Sequence, residues 1–190
     1  MTIAASAARS YGDSQSATRP DEAPGWDDEM PSDVGPGLFR SVMRHHAKGV
    51  AVITAGADTP AGFCATSLAS ISLDPPLVSF TVGLGTASWA TVESARHIMV
   101  HLLADGQEDI ARRFARTGAA KFGPETRWHR GALGLPVLDD VLAWLMLVPV
   151  NHLPVGDHAL VIGRVVAARH AADGSPLVHH DGTFVRLAAP

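Results

Sequence analysis

Several things are scarce in this chain of 190 residues. Cysteine occurs once, as Cys64, so no disulfide can form within the chain. Aromatic residues make up 6%, and no basic stripe interleaves with them, which argues against a nucleic-acid partner. The longest apolar run, Val141 to Val150, has ten residues and contains Pro149. A membrane helix needs about 20, so none is expected, and cytoplasmic residence is the default reading. Common catalytic signatures are also missing. There is no G-x-x-x-x-G-K-[ST], no H-E-x-x-H, no C-x-x-C and no G-x-S-x-G.

What is present describes a globular protein. Hydrophobic residues make up 46% and charged residues 18%, enough for one domain with a sizeable core. Charge is uneven. Residues 1–36 hold two arginines against seven acidic residues, while the whole chain carries −4, leaving +1 for residues 37–190. The first 36 residues are rich in Ala, Ser, Asp and Pro, lack an apolar period and read as a flexible tail. Trp26 among acidic residues allows the alternative of a docking arm.

From residue 37 the chain reads as one domain, 37–190. Leu38, Phe39, Val42 and Met43 predict an amphipathic helix over 37–47. Strands are expected at 49–55, at 62–72 as one strand or a pair, and at 77–82. A helix is expected at 86–95, a strand at 97–103 and a helix at 106–117. Residues 118–136 read as loop, followed by strands near 141–150, 157–168, 176–180 and 183–187. Short strands, few helices and no regular βαβ alternation predict a mainly β fold with flanking helices, a β-barrel.

Two segments carry candidate chemistry. In Ala65-Thr66-Ser67-Leu68-Ala69-Ser70-Ile71-Ser72, hydroxyls alternate with apolar residues. Small side chains admit a planar ligand, and hydroxyls with backbone N–H groups suit a phosphate or a ribityl chain. The alternative is a strand with internally bonded hydroxyls. In Gly83-Leu84-Gly85-Thr86-Ala87-Ser88, Thr86 or Ser88 is placed to cap the next helix, and the segment serves capping, anion binding or both. Ten histidines show no metal-ligand spacing, and no metal is expected. His158, in Gly156-Asp157-His158 at a strand start, stands apart from the others.

Taken together, these segments resemble a known family. Gly49-Val-Ala-Val-Ile-Thr is followed by Gly62-Phe-Cys-Ala-Thr-Ser-Leu-Ala-Ser-Ile-Ser-Leu-Asp-Pro-Pro-Leu, Glu108-Asp-Ile-Ala-Arg-Arg-Phe-Ala, Lys121-Phe122, Gly156-Asp-His and Ile162-Gly-Arg-Val. Over about 37–188 the chain is similar to the short-chain flavin reductases, the small components of two-component flavin-dependent monooxygenases. The resemblance implies an FMN-binding split barrel, a homodimer with flavin near the subunit interface, and hydride transfer from NADH to FAD or FMN for a partner monooxygenase. It implies that Cys64, Ala65, Thr66, Ser67 and Ser70 line the flavin site, that Ser88 contacts a phosphate, and that Phe114, Lys121 and Phe122 lie near the flavin. It implies that His158 stands beside the nicotinamide. The chain departs from the family pattern at Cys64, Thr66, Gly85 and His101, and has few cations at 179–184, which favours NADH over NADPH. The alternative function is a non-catalytic flavin- or haem-binding module on the same barrel.

Overall fold

The computed structural model describes residues 33–171 and 173–187; most of the expected tail lies outside them. In chain order the elements are α1 (Pro36–Arg44), β1 (Lys48–Gly49), β2 (Ala51–Ala55), β3 (Ala61–Ala65), β4 (Ala69–Leu73), β5 (Pro76–Gly83) and α2 (Trp89–Ser94). Then come β6 (Ile98–Leu102), α3 (Glu108–Ala115), β7 (Trp128–Arg130), a 3-10 turn (Ala132–Gly134) and β8 (Pro136–Leu138). The chain finishes with β9 (Ala143–Val155), β10 (His158–His170), β11 (Val178–His180) and β12 (Thr183–Val185). Among the described residues, no helix is long and apolar enough to cross a membrane.

Seven strands form one antiparallel sheet in the order β3-β2-β6-β9-β10-β5-β4. Its two edges, β3 and β4, are joined only by residues 66–68. A flat seven-stranded sheet would hold its edges about 29 Å apart at ~4.8 Å per strand. The three-residue link reaches about 15 Å at ~3.8 Å per Cα step. The sheet therefore curls. Its edges approach without a ladder between them, and the link is tied to β5 by the Thr81 N–H, which donates to Ser67 Oγ at 2.9 Å. This is a mainly β fold with flanking helices, a barrel left split along one seam.

Burial explains the strand patterns. Inside the curl lie Ile53, Phe80, Val82, Ile98, Val100, Leu147, Ala159 and Val161. On the outer face, Val50, Val52, Leu103, Ala111, Phe114, Leu138 and Leu177 form a second core beneath α3 and the β7–β8 hairpin. Strand β2 serves both cores, so all five of its residues are buried and its sequence shows no alternation.

Several expectations need correction. Residues 118–136 are not all loop, because they contain β7 and the start of β8. The last long strands are not short: β9 and β10 each run 13 residues and bend through register shifts at Ile162/Gly163 and Val165/Ala167. Helix α2 starts at Trp89, and neither Thr86 nor Ser88 caps it with its side chain. Helix α1 has the expected amphipathic pattern but buries no residue.

Candidate functional site

Two groups of residues meet the turn Gly83–Ser88, one at each end: Gly62 through Ser88 and His158 through Gly83. The first converges on one backbone carbonyl. Gly62, on β3, accepts a hydrogen bond from Ser88 Oγ at 3.0 Å and another from Lys121 Nζ at 2.9 Å. Ser88 is buried. A Cβ on Gly62 would meet Phe114 Cε1 at 2.8 Å and the Ile53 carbonyl oxygen at 2.9 Å, so only glycine fits under that ring. Phe114 is a fully buried side chain of α3, stacked edge-on with Phe122 at 5.4 Å, which in turn meets Trp128 at 5.1 Å.

The loop carrying Lys121 is held at both ends. Arg113 of α3 donates to Thr126 Oγ1 at 2.9 Å and to Glu125 at 2.7 Å. Trp128 Nε1 donates to the Phe122 carbonyl at 3.1 Å. Partial burial lowers the Lys121 pKa from its ordinary value. An ammonium has three donors, and Gly62 occupies one of them, so two remain for a ligand.

The second group is an open rim. His158 begins β10 and is paired with Gly83. Its Nδ1–H donates to the Asp157 carboxylate at 2.6 Å. That bond orients the ring and leaves Nε2 3.8 Å from where a Gly83 Cβ would stand. The same bond and the charge of a protonated His158 lower the Asp157 pKa. Thr86 Oγ1 donates to the Gly83 carbonyl at 2.9 Å, and the Leu84 N–H donates to the Asp157 carbonyl at 3.0 Å, which ties the turn to the β10 start. Ser67 joins the rim through Thr81.

The remaining expected site residues fall between or beyond these groups. Ala65 faces the inner core and Cys64 the outer one. Burial pushes the Cys64 thiol up to about 11, so it stays protonated at neutral pH and contributes shape rather than nucleophilicity. Thr66 lies on the link between β3 and β4. Ser70 sits further along β4, exposed and opposite Val78, next to a register shift at Ile71. Sequence reasoning did not single out Asp157, Trp128 or the Gly62 carbonyl. Asp157 could have been found from its place beside His158.

An anion such as a phosphate suits the first group, where Lys121 leaves donors free in a partly desolvated position. A split seven-stranded curl, with a cationic knot at one end of a turn and an oriented imidazole at the other, places the chain among split β-barrel proteins with flanking helices. The comparisons are more specific. Residues 43–188 match the model of the flavin reductase like domain, and the chain belongs to that family. It is 37% identical over 163 residues to an NADH:FMN oxidoreductase of Rhodococcus qingshengii, covering 83% of this chain and 85% of that protein. It is 32% identical over 161 residues to the reductase subunit HsaB of a flavin-dependent monooxygenase of Mycobacterium tuberculosis, covering 83% of this chain and 86% of that one. Among solved structures it resembles the NADH:FAD oxidoreductase SgcE6 of Streptomyces globisporus, in complex with NAD and FAD fragments. The TM-score there is 0.77 and the identity 30%, covering 83% of this chain and 98% of that one.

Proposed function

We propose that this protein is an NADH-dependent flavin reductase that passes reduced flavin to a separate monooxygenase. The observation that carries the reading is the placement of the Lys121–Gly62 knot and the Asp157-oriented His158 at opposite ends of the one turn Gly83–Ser88. When bound, the flavin supplies a ring that accepts hydride from nicotinamide C4. The chain's own residues then have to bind and align two ligands, and no strong general base is required. Lys121 holds the flavin phosphate, with Ser88 fixing the carbonyl that positions Lys121. Cys64, Ala65, Thr66, Ser67 and Ser70 form the wall along the ring and ribityl chain. Phe114 and Phe122 support that wall from the outer core. His158 presents Nε2 to the nicotinamide or its ribose. The ionised Asp157 beside it disfavours a 2′-phosphate, which supports NADH over NADPH. We further infer a cytoplasmic homodimer. Exposed apolar residues Leu153 and Val155 run beside His158, and α1 presents Leu38, Phe39 and Val42 to solvent, which supports a covering partner copy.

The test is NADH and NADPH oxidation by the purified protein with FAD, FMN, riboflavin or no flavin. Oxidation of NADH that rises with added flavin is the expected result. A folded protein without flavin-stimulated oxidation, yet retaining colour, would establish the binding-module alternative instead. Light scattering of the same sample reads the oligomeric state.

A further inference from the structure

The outer face of the curled sheet carries a cavity that the flavin site does not use. Two rungs cross β6, β9 and β10. Met99, Met146 and Ala167 form one, and His101, Trp144 and Arg169 form the other. Registered partners on antiparallel strands point to the same face. The β7–β8 hairpin flanks these rungs with His129, Gly131, Ala132 and Val137, leaving a partly open cavity of about 310 Å³ with His129 and Arg169 exposed at its edge. A second cavity of about 390 Å³ adjoins it, sharing His129, Val137, Trp144 and Arg169 and reaching Asp139, Asp140 and His170. The first lies at the lower end of the range for small-molecule sites, about 300–1,000 Å³.

Its chemistry is asymmetric. The walls are methionine, valine and alanine side chains with one indole. The polar groups sit at one end. There the carboxylates are already engaged: Asp139 accepts from His129 Nδ1–H at 2.7 Å, and Asp140 pairs with Arg127. His170 donates to the Ala171 carbonyl at 2.7 Å. Arg169 has no ion-pair partner among the described residues, although it lies directly across from Trp144. A planar apolar body against Trp144 and the two methionines, ending in an anion at the Arg169 fork, matches this lining. The Asp139-held ring of His129 leaves Nε2 for a second polar contact.

We propose that this cavity is a binding site for a small aromatic carboxylate, separate from the flavin and nicotinamide sites. The proposal rests on the cavity alone and stands whether or not the protein reduces flavin. Benzoate is the probe. In the full-length protein saturated with FMN, the four tryptophan indole N–H resonances are followed by NMR, with Trp144→Phe assigning one of them. Benzoate is expected to move the Trp144 resonance saturably. Benzyl alcohol, and benzoate on Arg169→Gln, are expected to bind at least about tenfold more weakly, the loss of a charge-assisted pair. An unmoved Trp144 resonance, equal affinity for the alcohol, or binding that appears only when FMN is withheld would each overturn the proposal. The comparison of the two ligands on the unaltered protein holds even if Arg169→Gln does not fold.

Discussion

The Gly62 knot and the His158 rim lie on either side of one short turn, yet they are built in opposite ways. In the knot, the donors and the aromatic rings are committed to the fold itself. Ser88 and Lys121 share one carbonyl, and Phe114 closes over it. At the rim, His158 is exposed, and its one bond is to the neighbouring residue in the chain. Substitution in the knot must therefore damage stability before it can reveal a binding role. Substitution at the rim can change binding while leaving the fold intact.

The largest effect is expected where the knot meets the outer core. Phe114→Ala removes a fully buried ring that contacts Phe122 and covers Gly62. It should cost about 3–5 kcal/mol, read as a lower midpoint in urea unfolding. A cost below about 1 kcal/mol would show that the knot is looser than its packing implies.

A similar effect comes from His101, reached through pH rather than substitution. His101 is fully buried on the outer face. Its Nδ1–H donates to the Val52 carbonyl at 3.1 Å, and its Nε2 accepts from the Leu138 N–H at 3.2 Å. Only the neutral ring can make both bonds. Burial is the main cause that lowers its pKa from 6.5 to about 4. Above pH 6.5 the folded and unfolded chains both hold it neutral, and it adds no pH dependence. As pH falls from 6.5 towards 4, the unfolded chain takes up a proton that the fold refuses, so stability declines by a total of about 3 kcal/mol. Urea midpoints measured across that range should fall for the natural chain and fall less steeply for His101→Gln.

A smaller effect tests the close approach inside the knot. Gly62→Ala would force its Cβ against Phe114 Cε1 at 2.8 Å and the Ile53 carbonyl at 2.9 Å. The ring can tilt but the β2 backbone cannot, so a loss of about 1–3 kcal/mol is expected, again by urea unfolding. An unchanged midpoint would mean that α3 shifts freely over β3.

These contrasts also explain what was legible in the sequence. The strands β2 and β5 were readable because apolar runs bounded by Gly and Pro mark them, and β6 because it is an apolar run between polar Arg96-His97 and Asp105. The β7–β8 hairpin was not. Each strand has three residues, too few to show a period, and the connection turns through Leu133, whose positive φ of 57° no residue preference announces. At the site, the residue types of Lys121 and His158 could be read, because a matching pattern surrounds them. The convergence of Ser88 and Lys121 on Gly62 could not, since its partners stand 26 and 59 residues away in sequence. The capping role read for Ser88 failed for the same reason: a distant carbonyl takes its hydroxyl.

The smallest effect on stability, and the sharpest test of the contrast, is His158→Ala. The side chain is exposed and its partner Asp157 more so, so the loss of their bond should leave the urea midpoint essentially unchanged. If the rim serves the nicotinamide, kcat/KM for NADH should still fall about tenfold, equivalent to ~1.4 kcal/mol of lost transition-state stabilisation. Asp157→Asn separates contact from orientation. It keeps the imidazole but removes the carboxylate that fixes it, so its loss should be smaller and should ease discrimination against NADPH. Equal kcat/KM in all three proteins would make the imidazole an ordinary strand-end residue. It would move the nicotinamide to another part of the rim, with the open strand β4 and its exposed Ser70 the next place to look.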